Sequence, residues 1–281
     1  MRRTRRAIGH EALERWVFSA QNNGTFARRF RWANTLWRKP ITINAAEDDD
    51  LLRIGEVGTS SGEGVSVARI SRVRIFLKGL DHRRSRLARD YMIDRIPISD
   101  GDFIVDVGAN IGEFSLLVAR RAAVRGVAIE PEALEYRALQ ENLAPTGVRA
   151  VHALLWSKED RVPFFSNNQT GDSSVFRPQV AHRGDVELRR TVTLDALLSE
   201  HLATGRRIRV LKLEAEGAEP EILLGARRTL EATDFVTADL GPERGPDGAT
   251  TLVAVCNLLD GHGFRPLDFS HHRISMLFAR V

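Results

Sequence analysis

From Gly101 onward, short apolar runs of β-favouring residues alternate with segments whose apolar positions recur every three or four, the pattern of βαβ units feeding a parallel sheet. FIVDV (103–107) predicts a first strand, and Ile111 to Arg121 a helix after it. GVAIE (126–130) predicts a second strand, Pro131 opens a helix over Glu132 to Asn142, and VRAVHAL (148–154) is a third strand. RVPFFSNNQTGDSSVF reads as a hairpin excursion leading to a polar strand near Arg190 to Thr193. TLDALLSEHL (193–202) is a helix capped by Thr193, IRVLKLEA (208–215) the fourth core strand, Pro220 to Ala232 a helix, and FVTADL (235–240) the fifth strand. A helix near Thr250 to Asp260 then precedes GFRPLDF and ISMLFAR, an antiparallel pair. The expected fold is α/β, a Rossmann-like, doubly wound, mostly parallel sheet of seven strands.

Upstream the pattern changes. Phe18 to Trp37 interleaves Phe26, Phe30, Trp32 and Trp37 with arginines, as in a basic amphipathic helix. Its aromatics are expected to pack on the main domain; the other reading is peripheral contact with a lipid surface or a partner. The acidic and Gly/Ser-rich passage from Glu47 to Gly64 reads as a loop or hairpin-bearing linker. Residues 1–70 are therefore expected to be an N-terminal extension, helical and then a linker, ahead of a catalytic-size domain at 71–281.

Composition narrows the setting. A length of 281 residues with 43% hydrophobic content supports one sizeable core and a smaller appendage. Cys256 is the single cysteine, so no intramolecular disulfide can form. MRRTRRAIGHEALERW has the positive start of a secretory signal but lacks the apolar stretch of about 7–15 residues that should follow. A cytoplasmic location is the expectation. The net charge of +4 comes from arginines scattered in pairs, so nucleic acid is not the expected partner.

The candidate chemistry begins at DVGANIGEFSLLVAR (106–120), where Gly108, Ala109, Asn110, Ile111 and Gly112 form a tight strand-to-helix turn. Glycines there let the backbone approach a ligand, and free amides of the new helix would favour a polar or anionic partner. The dinucleotide fingerprint G-x-G-x-x-G is absent. Glu130 closes the second strand beside this turn, where an acid can accept both hydroxyls of a ribose. His152, inside a strand pattern, reads as structural.

DVGANIGEFS (106–115), IEPEALEYRALQENL (129–143), GDSS (171–174), VTLDALL (192–198) and VLKLEAEGAEPEILLGA (210–226) resemble the FkbM-type methyltransferases, a branch of the class I S-adenosylmethionine-dependent enzymes. Glu214 stands where many members carry aspartate, which keeps the charge on a longer arm. The resemblance implies that Gly108, Ala109, Asn110 and Gly112 hold the methionine part of S-adenosylmethionine, with Asp106 orienting the loop or the amino group. Glu130 with Pro131 would bind the ribose, and Leu155, Trp156 and Ser157 would sandwich the adenine. It also implies a hydroxyl acceptor on a sugar, glycan or natural product.

Glu214 and Glu216 end the fourth strand and would face the transferable methyl, as catalytic residues. A carboxylate there can take the acceptor's proton, and partial burial would raise its pKa usefully. Glu219 and Glu221 read as ornaments of a helix N-terminus. Asp172, Ser173, Asp239 and Arg244 are candidate substrate contacts. Asp239 beside Glu214 could hold a divalent ion, though a required metal is not expected. The competing readings are an RNA or DNA methyltransferase, which lacks the N/D-P-P-Y/F tetrapeptide, and a cofactor-binding module without turnover.

Overall fold

The computed structural model describes residues 11–46, 50–58, 64–167, 173–177, 186–270 and 272–281. It divides into two compact units, Met1–Arg84 and Ser85–Val281.

In the first unit, helical residues 11–18 precede the helix Asn23–Trp37, whose N-terminus is capped by Asn22 Oδ1 accepting the Thr25 amide at 2.8 Å. Three strands follow as an antiparallel meander: β1 (Ile41–Ala45), β2 (Leu52–Glu56) and β3 (Gly64–Val67). Ile41 and Ile43 point inward while Thr42 and Asn44 face solvent, the period of two that a half-buried strand requires. Phe26, Phe30 and Ala33 form the buried stripe of the helix, and Asn34 Nδ2 ties it to β1 by donating to the Ile41 carbonyl at 3.1 Å. The helix thus packs on its own sheet. The passage read as a loop or hairpin-bearing linker, Glu47 to Gly64, contains β2; at four and five residues each, the strands are too short for their alternation to stand out between Gly, Ser and Asp.

The second unit is built on a main sheet of seven strands, with three more strands in a smaller sheet. In chain order the first six of its strands are β4 (Phe103–Val107), β5 (Arg125–Glu130), β6 (Val148–His152), β7 (Leu154–Leu155), β8 (Arg161–Phe165) and β9 (Val186–Val192). The others are β10 (Ile208–Leu213), β11 (Thr233–Asp239), β12 (Phe264–Phe269) and β13 (Ser275–Arg280). The main sheet runs β6-β5-β4-β10-β11-β13-β12, parallel except for β13, which lies antiparallel between β11 and β12. The hairpin excursion is a small sheet of order β7-β9-β8.

The chain winds from β4 toward β6 on one side and resumes at β10 on the other, so the strand order reverses between β4 and β10. Ligands collect at such a switch point, outside the carboxyl ends of the strands. Apolar side chains cover both faces of the sheet: Val105, Val107, Leu211 and Leu213 point into one core, Ile104, Ala128 and Val210 into the other. The predicted helix over Pro220 to Ala232 is two, Glu219–Leu224 and Arg227–Ala232, broken at Gly225 and Ala226. Among the described residues, no helix is long and apolar enough to cross a membrane.

Candidate active site

The turn after β4 is organised from within. The Ala109 amide donates to the Ile129 carbonyl, Asn110 to Glu130 Oε2 at 2.7 Å, Ile111 to Asn110 Oδ1 at 3.0 Å, and Gly112 to the Ala109 carbonyl. The four amides of the turn itself, Ala109 to Gly112, are therefore engaged within the protein. The glycines also serve packing. Gly108 has φ +64°, and a Cβ on it would lie 1.7 Å from the Glu214 carbonyl oxygen, so only glycine lets the turn meet the exit of β10. Gly112 has φ +86° and abuts Leu139 of the helix Ala133–Leu143. Asp106, fully buried, accepts from Ser115 Oγ at 2.7 Å and faces Lys212 Nζ at 3.2 Å, holding the turn from beneath.

Glu130 ends β5 with one oxygen accepting the Asn110 amide and the other the Glu132 amide at 2.8 Å. Each oxygen keeps a lone pair for a ligand hydroxyl. Burial raises its pKa to about 7 against the opposing pull of those two amides. The Pro131 carbonyl accepts from Arg189 Nη1 at 2.6 Å and lies 2.9 Å from His152 Nε2, while the His152 ring stacks on Tyr136. Pro131 and His152 thus fix the path of the chain beyond Glu130.

At the end of β10 lies the densest charge cluster. Lys212, paired in register with Asp106, donates from its buried ammonium to the Val107 and Gly108 carbonyls at 3.0 and 2.7 Å, and sits 3.2 Å from Glu214 Oε2. Tyr91 donates its hydroxyl to the same Glu214 oxygen, and Arg273 donates to Oε1 at 2.8 Å. Arg273 also pairs with Asp239 at the end of β11. Burial pushes the Glu214 carboxyl up, but Lys212, Arg273 and the Tyr91 hydroxyl outweigh it and hold the pKa down at about 2. This reverses the expectation that burial would make Glu214 a better base.

Glu243 behaves in the opposite way. It flanks Gly241 opposite Asp239: a Cβ on that glycine would lie 3.4 Å from Glu243 Oε1 and 3.5 Å from Asp239 Oδ1. Burial, then the neighbouring Asp239, Glu214 and Glu219, raise its carboxyl to about 8. Asp239 is raised by burial and by Glu214, against Arg273.

The loop after β10 is braced by Glu219 and Glu221, read as ornaments of a helix N-terminus, and by Arg244, read as a substrate contact. Glu219 Oε1 reaches back to the Ala215 amide at 2.7 Å and the Gly217 amide at 3.2 Å. Arg244 grips both oxygens of Glu221 and donates to the Gly217 carbonyl at 2.7 Å, its guanidinium lying over the Phe176 ring. A guanidinium so engaged anchors the loop. Glu216 is the turn residue at φ +48°, and its carbonyl accepts from Ser174 Oγ at 2.8 Å, which brings the end of the GDSS segment against the loop. Ser173 Oγ accepts the Asn167 amide, and Asp172 lies outside the described residues. Leu155 is buried in the core, with Trp156 packed against that cluster and near Phe176. Ser157 follows in the bend after Trp156. Among the described residues, no group of three or more His, Cys, Asp and Glu is placed to hold a metal ion.

Sequence reasoning did not single out Tyr91 or Arg273. Tyr91 follows the helix Leu80–Asp90, and Arg273 sits in the hairpin between β12 and β13, far along the chain from the motifs. The antiparallel insertion of β13 beside β11 is what brings that hairpin to the carboxyl ends of the parallel strands.

This sheet order is that of the class I methyltransferase fold. Residues 106–266 match the family model described as the methyltransferase FkbM domain, and the chain belongs to that family. Methyltransferase sdnD of Sordaria araneosa is 32% identical over 170 residues, which cover 48% of this chain and 64% of that protein, just under two thirds of its length. 2-O-methyltransferase NoeI of Sinorhizobium fredii is 24% identical over 221 residues, covering 73% and 90%. A crystal structure of methyltransferase FkbM from Methylobacillus flagellatus superposes with a TM-score of 0.48 at 15% identity, covering 75% of this chain and 53% of that one.

Proposed function

We propose that the protein is an S-adenosylmethionine-dependent O-methyltransferase acting on a hydroxyl of a sugar, glycan or natural-product metabolite. One observation carries the cofactor reading: the amides of the first turn are engaged internally, while Glu130, Glu214, Asp239 and Glu243 line the strand ends. Such a rim gains its negative charge when a cation approaches, and so suits a ligand bearing positive charge and hydroxyl donors better than a pyrophosphate. Glu130 would take the ribose hydroxyls, and Leu155, Trp156 and Ser157 would face the base. The bound cofactor supplies a methyl group already activated by a sulfonium. The residues have then to position the acceptor and manage its proton.

Glu214, clamped by two cations and a tyrosine hydroxyl, is a weak proton acceptor and serves to hold the floor of the site. Glu243, whose proton affinity lies near the working pH, takes the acceptor's proton. The name of the NoeI relative, a 2-O-methyltransferase, supports a hydroxyl acceptor. The test is calorimetric titration with S-adenosylmethionine, S-adenosylhomocysteine and NAD, followed by transfer of labelled methyl to glycan, small-metabolite and nucleic-acid pools. Binding of the first two with label in glycan or metabolite is expected. Binding of NAD alone, or label confined to nucleic acid, overturns the reading.

A further inference from the structure

The first unit has a feature that methyl transfer does not use. The helix Asn23–Trp37 buries Phe26, Phe30 and Ala33 on its own sheet, yet its opposite face presents Trp32 at 58% and Leu36 at 60% exposure. Residues 28, 32 and 36 stand one above another on that face, so exposed Arg28 continues the row. Trp16, itself 43% exposed, meets Trp32 edge to face with ring centroids 5.7 Å apart. Arg29 lies over the Trp16 ring at 4.9 Å and donates to the Trp16 carbonyl, which fixes the pair in place. Two indoles and a leucine are thus held in water by a rigid frame.

Cations outnumber acids around them, Glu11 and Glu14 being the acids on the helical segment that carries Trp16. Between Glu14 and Glu47 the sequence carries Arg15, Arg28, Arg29, Arg31, Arg38 and Lys39 and no acidic residue, and Glu14 is itself paired with Arg74. Arg15, Arg31 and Arg38 are exposed.

We infer that this face docks on an anionic lipid surface, with Trp16, Trp32 and Leu36 entering the headgroup boundary and the arginines meeting lipid phosphates. Indole rings prefer that boundary because one edge is polar and the body apolar. A helix lying in the interface plane needs this division, an apolar strip flanked by cations. A second copy of the chain fits poorly, because a two-fold contact would set arginines against arginines. A nucleic acid would gain nothing from Leu36, and the edge-to-face packing of Trp16 on Trp32 limits the open ring face that a base needs.

The test uses the full chain and sedimentation with vesicles of pure phosphatidylcholine or of phosphatidylcholine with one-third phosphatidylglycerol. Binding to the anionic vesicles should be at least about tenfold tighter, given several arginines near the surface. It should weaken at least about tenfold when salt is raised from roughly 0.1 to 0.5 M, and be accompanied by a blue shift of tryptophan emission. Trp32→Ser with Leu36→Ser should weaken it about tenfold while leaving the thermal melt in place, since neither side chain is in the core. Equal or absent binding to the two vesicle types overturns the inference. So does a dimer in sedimentation equilibrium that the double substitution dissociates, or binding of RNA that Arg28→Glu with Arg31→Glu abolishes while vesicle binding is unchanged.

Discussion

Glu214 shows how three side chains can decide what a fourth does. A carboxyl moved out of water is raised in pKa, yet here two cations and a hydroxyl converge on it, and the sum runs downward to about 2. The consequence for stability has a definite sign. Folding favours the ionised form, so the contribution is full above the ordinary value of 4.5 and is lost as the pH falls toward 2. The difference is worth roughly 3 kcal/mol. Glu214→Gln should lower unfolding free energy at neutral pH by about 3–5 kcal/mol, because it leaves Lys212 and Arg273 underpaired in a dry site. Urea denaturation at pH 7 and pH 3 checks this; a wild type and variant with equal acid sensitivity would contradict it. Glu243 gives the complementary case. If it accepts the acceptor's proton, transfer should rise with pH through about 8 as it ionises. Glu243→Gln should slow transfer roughly 10²-fold and flatten that rise, with cofactor affinity kept. Neither role could be read from the letters around either residue, because the groups that set each pKa come from the ends of β10 and β11, from Tyr91 after the helix Leu80–Asp90 and from the hairpin between β12 and β13.

At the scale of elements, the periodicity of the chain was a sufficient guide to the seven strands, including the final antiparallel pair, since apolar runs buried on both faces leave a continuous signal. It failed where strands are short and half-buried, in the meander of β1 to β3. It also failed where one helical period hides a break, as at Gly225. The motif DVGANIGEF located the first turn, but the letters alone did not show that Gly108 also lets β4 and β10 meet. Gly108→Ala tests that directly. The positive φ alone costs an alanine about 1–2 kcal/mol, and the clash with the Glu214 carbonyl adds to it. We expect a loss of more than about 2 kcal/mol in unfolding free energy, together with weakened cofactor binding because Asn110 no longer reaches Glu130. Retention of wild-type stability would show that the turn can draw back from β10.

Over the whole molecule, the strand ends hold more carboxyls than cations, and this imbalance ties ligand binding to protons. Burial raises Glu130 from 4.5 to about 7, and burial with neighbouring acids raises Glu243 from 4.5 to about 8. For a carboxyl raised on folding, the contribution to stability is full below its unfolded value and is lost as the pH climbs through the folded one. For Glu130 the loss is roughly 3 kcal/mol. The ligand-free protein should therefore melt highest near pH 5 and progressively lower toward pH 8, the reverse of the acid limb set by Glu214. A positively charged ligand with ribose hydroxyls favours the ionised forms of both groups, so its binding releases protons and tightens as the pH rises. S-adenosylmethionine should bind about tenfold more tightly at pH 8 than at pH 5.5. S-adenosylhomocysteine, whose sulfur is neutral, should show the smaller change that Glu130 alone produces. Titrations in two buffers of different ionisation enthalpy measure the released protons directly. An affinity independent of pH, with no proton released, would mean that the ligand does not lie against these carboxyls.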